Sequence, residues 1–250
     1  MNSAFKIRPP KTEPLNFYEN SIFSSLPEGI RPGGLLLTEH LIELCDFKRG
    51  DRILDAGCGT GTSLDFMCRK KRYETTGIDL SDFMLKKGLE KFPDLHLVQG
   101  NAMHLPFSDN SFDGVIAECS LSIMGDIRKV LGEIKRVLVT GGKFAISDIY
   151  IRYPEQPGAI NYLLSAGCIS GAFIQDEFIN IVNNSGFNIL LWEDHSKLWR
   201  EFIAGLILNG ISICDILTCS SSKEKEMEVL ISSAAKVKPG YFSLIAENIL

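Results

Sequence analysis

Two carboxylates and three glycines carry the chemistry that can be read first. The run Ile53-Leu54-Asp55-Ala56-Gly57-Cys58-Gly59-Thr60-Gly61-Thr62 takes an apolar strand into an acid, then into a loop with glycine at every second position. A second segment, Thr75-Thr76-Gly77-Ile78, ends in Asp79, 24 positions after Asp55. Glycines let backbone approach a ligand closely, and an acid ending the second strand can take ribose hydroxyls. The pair therefore suits a nucleoside held by a doubly wound α/β fold. The spacing also limits which nucleoside. A dinucleotide fingerprint reads G-x-G-x-x-G and sets a pyrophosphate on a helix N-terminus. Here the run is D-x-G-x-G-x-G, and Asp55 would repel that group. A nicotinamide-dependent oxidoreductase is disfavoured for this reason.

The elements that must position these residues alternate between periods of two and 3.6. Strands are expected at Arg52–Leu54, Thr75–Ile78, Leu95–Gln99, Gly114–Ala117 and Lys143–Ile149. Between them, helices are expected over Thr62–Lys71, over Asp82–Lys91 behind a Ser81 cap, and over Asp126–Leu138. The last has Ile127, Val130, Leu131, Ile134 and Leu138 on one side. Thr38 is read as the N-cap of a helix Glu39–Cys45, and Thr140-Gly141-Gly142 as a turn. Such alternation implies a parallel sheet with right-handed crossovers. Further along, Gln175–Ser185 and His195–Leu208 read as helices. Phe187–Trp192 and Tyr241–Ala246 read as strands, with Pro239-Gly240 a turn. The expected organisation is an N-terminal arm and lid helix over 1–45, a nucleoside-binding core over 46–150, and a substrate-side segment over 151–250. That last segment completes the same sheet.

Composition narrows the function classes. A net charge of -5 gives no electrostatic reason to expect a nucleic acid partner. No apolar run approaches the ~20 residues that cross a bilayer, so no membrane association is expected. The residues from Met1 to Pro14 lack the apolar centre of a signal peptide, and a cytoplasmic location is expected. Seven cysteines, with no C-x-x-C pair and no zinc-finger spacing, suggest neither a disulfide framework nor a metal centre.

Four separated segments over roughly 50–150 resemble motifs of class I S-adenosylmethionine (SAM) methyltransferases. Ile53–Thr62 resembles motif I, and Gly77-Ile78-Asp79-Leu80-Ser81 resembles the G-x-D-x-S after strand two. Asn101-Ala102-x-x-Leu105-Pro106-Phe107 with Ser111-Phe112-Asp113 resembles a block of the ubiquinone/sterol-type small-molecule subgroup. Arg136-Val137-Leu138-x-x-Gly141-Gly142 resembles the turn before its fifth strand. The resemblance implies a seven-stranded Rossmann-like sheet with helices on both faces, SAM as cofactor, and methyl transfer to a small-molecule acceptor. It also implies roles for particular positions. Gly57, Cys58, Gly59 and Gly61 would line the methionine end, with Asp55 near its ammonium. Asp79 would take the ribose hydroxyls, with Leu80 against the adenine. Asn101 and Ala102 would meet the adenine edge, and Glu118 would contact the methionine moiety or the acceptor. Asn101 departs from the acid usual there, and Thr140 from the usual proline.

A partial similarity to arsenite methyltransferases rests on Gly167-Cys168-Ile169-Ser170-Gly171-Ala172-Phe173. It implies that Cys168, with Cys119 as companion, binds a soft acceptor such as arsenite, selenium or a thiol. Both cysteines have a bland reading too, as small apolar residues of the core. Arg31 and Tyr18, in the arm, are candidates for a substrate-side lid, and Arg31 equally for a structural ion pair. His104 and His195 are the candidate general bases, against a surface-loop and a helix-cap reading respectively; the catalytic residue itself is not identified. A non-catalytic SAM-binding partner protein, and an enzyme acting on an oxygen, nitrogen or carbon acceptor, stand as alternatives. Oligomeric state is not legible.

Overall fold

Strand β1 (Arg52–Ala56) is buried from Ile53 onward, and its side chains divide between two apolar layers. Leu54 and Ala56 join one core, while Ile53 joins the other, as alternation in a strand covered on both faces requires. The structure is a computed structural model. It describes residues 31–152, 171–211, 232 and 236–249.

Around β1 lie β2 (Glu74–Asp79), β3 (His96–Gln99), β4 (Phe112–Glu118) and β5 (Leu138–Ile151), all pairing in parallel. A two-residue strand β6 (Phe173–Ile174) pairs with the end of β5. Strands β7 (Phe187–Asp194) and β8 (Pro239–Asn248) complete the order β3-β2-β1-β4-β5-β8-β7, with β8 antiparallel to both neighbours. This is the Rossmann-like class I methyltransferase architecture expected from the motifs, with seven main strands and β6 beside them.

Among the described residues six helices cover the sheet: α1 (Gly34–Leu44), α2 (Thr62–Phe66), α3 (Asp82–Lys91), α4 (Ile127–Val137), α5 (Gln175–Asn184) and α6 (Ser196–Leu208). Apolar residues of α4 and α5 fill one core, and Leu37, Leu41, Leu64 and Trp199 of α1, α2 and α6 help fill the other. Helix α4 starts as its sequence requires, with Asp126 accepting from the Arg128 and Lys129 amides. Ser81 likewise caps α3 by accepting from the Met84 amide. Behind α2, the expected helix continues as one π-helical turn over Met67–Lys71.

Three local expectations are corrected. Helix α1 begins at Gly34, not after Thr38, with Gly33 left-handed before it. Thr38 is an interior residue whose hydroxyl reaches Gly34 O and Glu118, so a tertiary contact outweighs its capping preference. Thr140-Gly141-Gly142 does not end an element: it is a break inside β5, where the β4 partners step from Leu138 to Lys143. Pro239-Gly240 opens β8, opposite Ile151 and Tyr150. Proline is tolerated as the first residue of a strand.

Close packing gives a direct test. A Cβ on Gly114, in β4, would stand 2.3 Å from Cζ of Phe47. Gly114→Ala is expected to cost about 1–3 kcal/mol as that ring is displaced. An unchanged urea midpoint would show that Phe47 leaves at no cost.

Candidate functional site

Where β1 ends, backbone amides are drawn against the neighbouring strand. Gly57 and Cys58 both donate to Ile78 O, at 2.8 and 3.1 Å. Gly57, Gly59 and Gly61 all have positive φ, of 78, 54 and 75°. Glycine is needed at Gly57 for space as well, because a Cβ there would meet that of Ser120 at 2.5 Å. Ser120 is fixed from below, donating its hydroxyl to Ala56 O at 2.8 Å. The loop therefore presents backbone rather than side chain to the crevice above β1.

Asp79, at the end of β2, ties this loop to α3. One carboxylate oxygen accepts from the Gly59 amide and the other from the Ser81 amide, each at 2.8 Å. Each oxygen has further lone-pair capacity. Beside it Leu80 is exposed, whereas Ala102 is buried. Asn101 Oδ1 accepts from the Met103 amide at 2.9 Å, which holds the following loop in an Asx turn.

A buried charge cluster closes the other side. Glu118, the last residue of β4, accepts from Thr38 Oγ1 at 2.9 Å and from Ser63 Oγ at 2.7 Å. Arg31 Nη2 stands 3.3 Å from Glu118 Oε2, and the two side chains are 9% and 4% exposed. The same nitrogen donates to Thr38 Oγ1 and Ser63 Oγ at 2.6 and 2.8 Å. Its Nε is the one buried side-chain polar atom without a hydrogen-bond partner among the described residues.

Asp55 is buried nearby, and burial followed by the charge of Glu118 pushes its carboxyl well above the usual range, against the pull of Arg31. Burial alone would weaken the Arg31 cation, but neighbouring negative charge, above all that of Glu118, holds its pKa above the ordinary value. One guanidinium thus faces two acids in a site largely shielded from water. That arrangement favours a ligand carrying positive charge, while the spare Nε can take an acceptor.

The structure brings Arg31, Asp55 and Glu118 together, and sets Gly57, Cys58, Gly59 and Gly61 beside Asp79. Arg31 forms the ion pair that its sequence position left open. Thr38 and Ser63 were missed as members of the cluster; Ser63, in the first turn after the glycine loop, was the readable one. Cys58 is held as a thiol: burial, then the charges of Asp55 and Asp79, raise its pKa well above normal. Cys119 has a left-handed backbone, with φ of 54°, and its amide donates to Ser147 O at 2.6 Å. The turn beyond it is anchored by Asp148, which accepts from the Ser122 amide and hydroxyl at 2.9 and 2.8 Å. His104 is exposed. His195 occupies the N-cap position of α6 and bonds Ser243 Oγ at 2.9 Å. Tyr18 and Cys168 lie outside the described residues.

Residues 54–146 match a family model described as a methyltransferase domain. Methyltransferase GfsG of Streptomyces halstedii is 36% identical over 137 residues, 50% of this chain and 49% of that protein. A demethylmenaquinone methyltransferase of Symbiobacterium thermophilum is 33% identical over 153 residues, 55% of this chain and 61% of that protein. The chain thus spans about half to three-fifths of the length of these curated relatives. Among solved structures, the [4+2]-cyclase SpnF superposes with a TM-score of 0.74 at 22% identity, covering 97% of this chain and 99% of that one. A phosphoethanolamine N-methyltransferase of Haemonchus contortus gives 0.71 at 21% identity, covering 94% and 56%. One architecture therefore carries more than one chemistry, and the reaction has to be argued from the site.

Proposed function

We propose that this chain is a SAM-dependent methyltransferase acting on a small-molecule acceptor. The observation that carries the reading is the pairing of an all-backbone glycine cradle with a buried cluster of two acids and one arginine. The residues present fit the cofactor's chemistry. Asp55 and Glu118 suit the ammonium and sulfonium charges, and the spare Nε of Arg31 suits the carboxylate. Asp79, already fixed through both oxygens, suits the ribose hydroxyls, and the exposed Leu80 gives the adenine an apolar face. Asn101 keeps its amide nitrogen for the adenine edge, beside Ala102.

When bound, SAM supplies an activated methyl group on a sulfonium. The protein's work is to orient that group and keep water away. The glycine cradle would hold the methionine end and Asp79 the ribose, each from the end of a strand. Beneath the cradle Glu118 is buried, and the hydroxyls of Thr38 and Ser63 meet its oxygens in place of solvent partners.

The test is ligand-dependent melting. At 100 times its dissociation constant, SAM stabilises by about 2.7 kcal/mol. For a chain of this size that corresponds to roughly 5–10 °C. NADH is expected to give no shift. The reverse pattern would remove the reading, and transfer of labelled methyl from SAM across an acceptor panel then identifies the substrate class.

A soft acceptor is the narrower form of this proposal. It is supported by Cys119, which follows the last residue of β4 in a left-handed conformation and lies near the buried Arg31 and Tyr241. A sulfur, selenium or arsenic acceptor presents its own lone pair and needs no general base. Absence of methylated product from arsenite, from selenite and from a thiol alike would rule it out in favour of an oxygen, nitrogen or carbon acceptor.

A further inference from the structure

Away from the glycine loop, the segment Trp192-Glu193-Asp194-His195-Ser196 meets helix α1 in an arrangement the methyl-transfer reading does not use. His40 projects from α1 and stands with Nε2 2.8 Å from Glu193 Oε2, although 153 positions separate them in sequence. His195 Nε2 approaches the same carboxylate oxygen to 3.4 Å. The three donor atoms lie within 4.8 Å of one another. The imidazole rings stand edge to face, 6.0 Å apart at 85°. Ser243, on β8, completes the surround: its Oγ is 2.9 Å from His195 Nε2 and 3.4 Å from Glu193 Oε2.

We propose that His40, Glu193 and His195 form a site for a divalent transition-metal ion of the zinc class. Two imidazole nitrogens and one carboxylate oxygen are a donor set such ions accept, whereas magnesium and calcium prefer oxygen throughout. Metal–donor distances of about 2.0–2.2 Å in a tetrahedron place donors roughly 3.3–3.5 Å apart. The three side chains reach that spacing by small movements about the positions they already hold. Water would take the fourth position, with Ser243 as an outer hydrogen-bonding partner.

The site is open to solvent on one side, since the side chains of His40, Glu193 and His195 are 44%, 32% and 18% exposed. Two of its ligands, Glu193 at the end of β7 and His195 before α6, are two positions apart in the chain, and the third, His40 of α1, comes from 153 positions away. An ion there would bolt α1 to the far edge of the sheet. That helix also carries Thr38 to Glu118, so metal binding would stiffen one wall of the crevice from outside it.

The experiment uses the full chain, stripped with a chelator and titrated with zinc and with cobalt(II). One equivalent is expected to bind and to raise the melting temperature. The cobalt form should show d–d bands of nitrogen and oxygen ligation without the near-ultraviolet thiolate charge-transfer band that its cysteines would give. His40→Ala and Glu193→Gln should each weaken binding by at least about 100-fold, beyond the loss expected for an outer partner. Because the His195 ring is partly buried and bonded to Ser243, the milder and more exposed His40→Gln supplies the decisive comparison. Binding that survives His40→Gln at parental affinity, a thiolate band, or no binding at millimolar zinc would overturn the proposal.

Discussion

Asp79→Ala is expected to lose SAM binding by a factor of 100 or more in isothermal titration. Two separate losses combine. The carboxylate would take ribose hydroxyls, and hydrogen bonds to a charged group contribute about 1.5–3 kcal/mol each. It also accepts from the Gly59 and Ser81 amides, so its removal frees the glycine loop from the start of α3. Asp79→Asn separates the two effects, since the amide keeps one acceptor for the loop while losing the charge. Its affinity should fall between parent and alanine variant. Parental affinity in Asp79→Ala would show that the nucleoside is held elsewhere.

The second large effect is on stability. Glu118→Ala leaves the Arg31 guanidinium buried with two hydroxyls and without its ion-pair partner, Asp55 being the remaining acid nearby. Removing one partner of a buried pair costs about 3–5 kcal/mol. The expected fall in melting temperature is on the order of 10 °C. A double variant, Glu118→Leu with Arg31→Met, should recover much of this, because two apolar residues leave no charge stranded. A double-mutant cycle by urea unfolding measures the coupling. If the two single variants proved additive, the pair would not be the fastening described above.

Much of the fold was legible because its signals are local. The acid and glycines of the first loop, the Ser81 and Asp126 caps, and the apolar stripe of α4 each depend on residues within one turn or one strand. The order of β1 to β5 followed from the alternation of those elements. The misread places share a different cause. Helix α1 starts at two glycines that intrinsic propensity disfavours, because Leu37 and Leu41 are buried and Thr38 is claimed by Glu118, 80 positions away. Pro239-Gly240 looked like a turn, since nothing nearby shows that Tyr150 and Ile151 will pair with it.

The site divides along the same line. Asp55, the glycines and Asp79 stand in continuous motifs and were readable. Arg31 was seen as a candidate, yet its partner could not be chosen before the chain was folded. Thr38 gave no signal, since a hydroxyl on a helix has no fixed meaning until a buried acid faces it; Ser63 was marked only by its place in the first turn after the glycine loop. Glu193 and His195 are neighbours in sequence, but His40 is brought to them by tertiary structure alone.

Strand β8 has a consequence for assembly. It lies between β5 and β7, antiparallel to both, although it follows every other described strand along the chain. Until residues 239–248 are available, the seam between them has no filler, and each neighbour exposes a ladder of unmatched amides and carbonyls. Sheet closure therefore waits on this late insertion, and the parallel half must survive with a raw margin in the meantime. Loss of those ten residues would leave two sticky borders facing solvent, a recipe for clumping rather than for a slightly smaller protein.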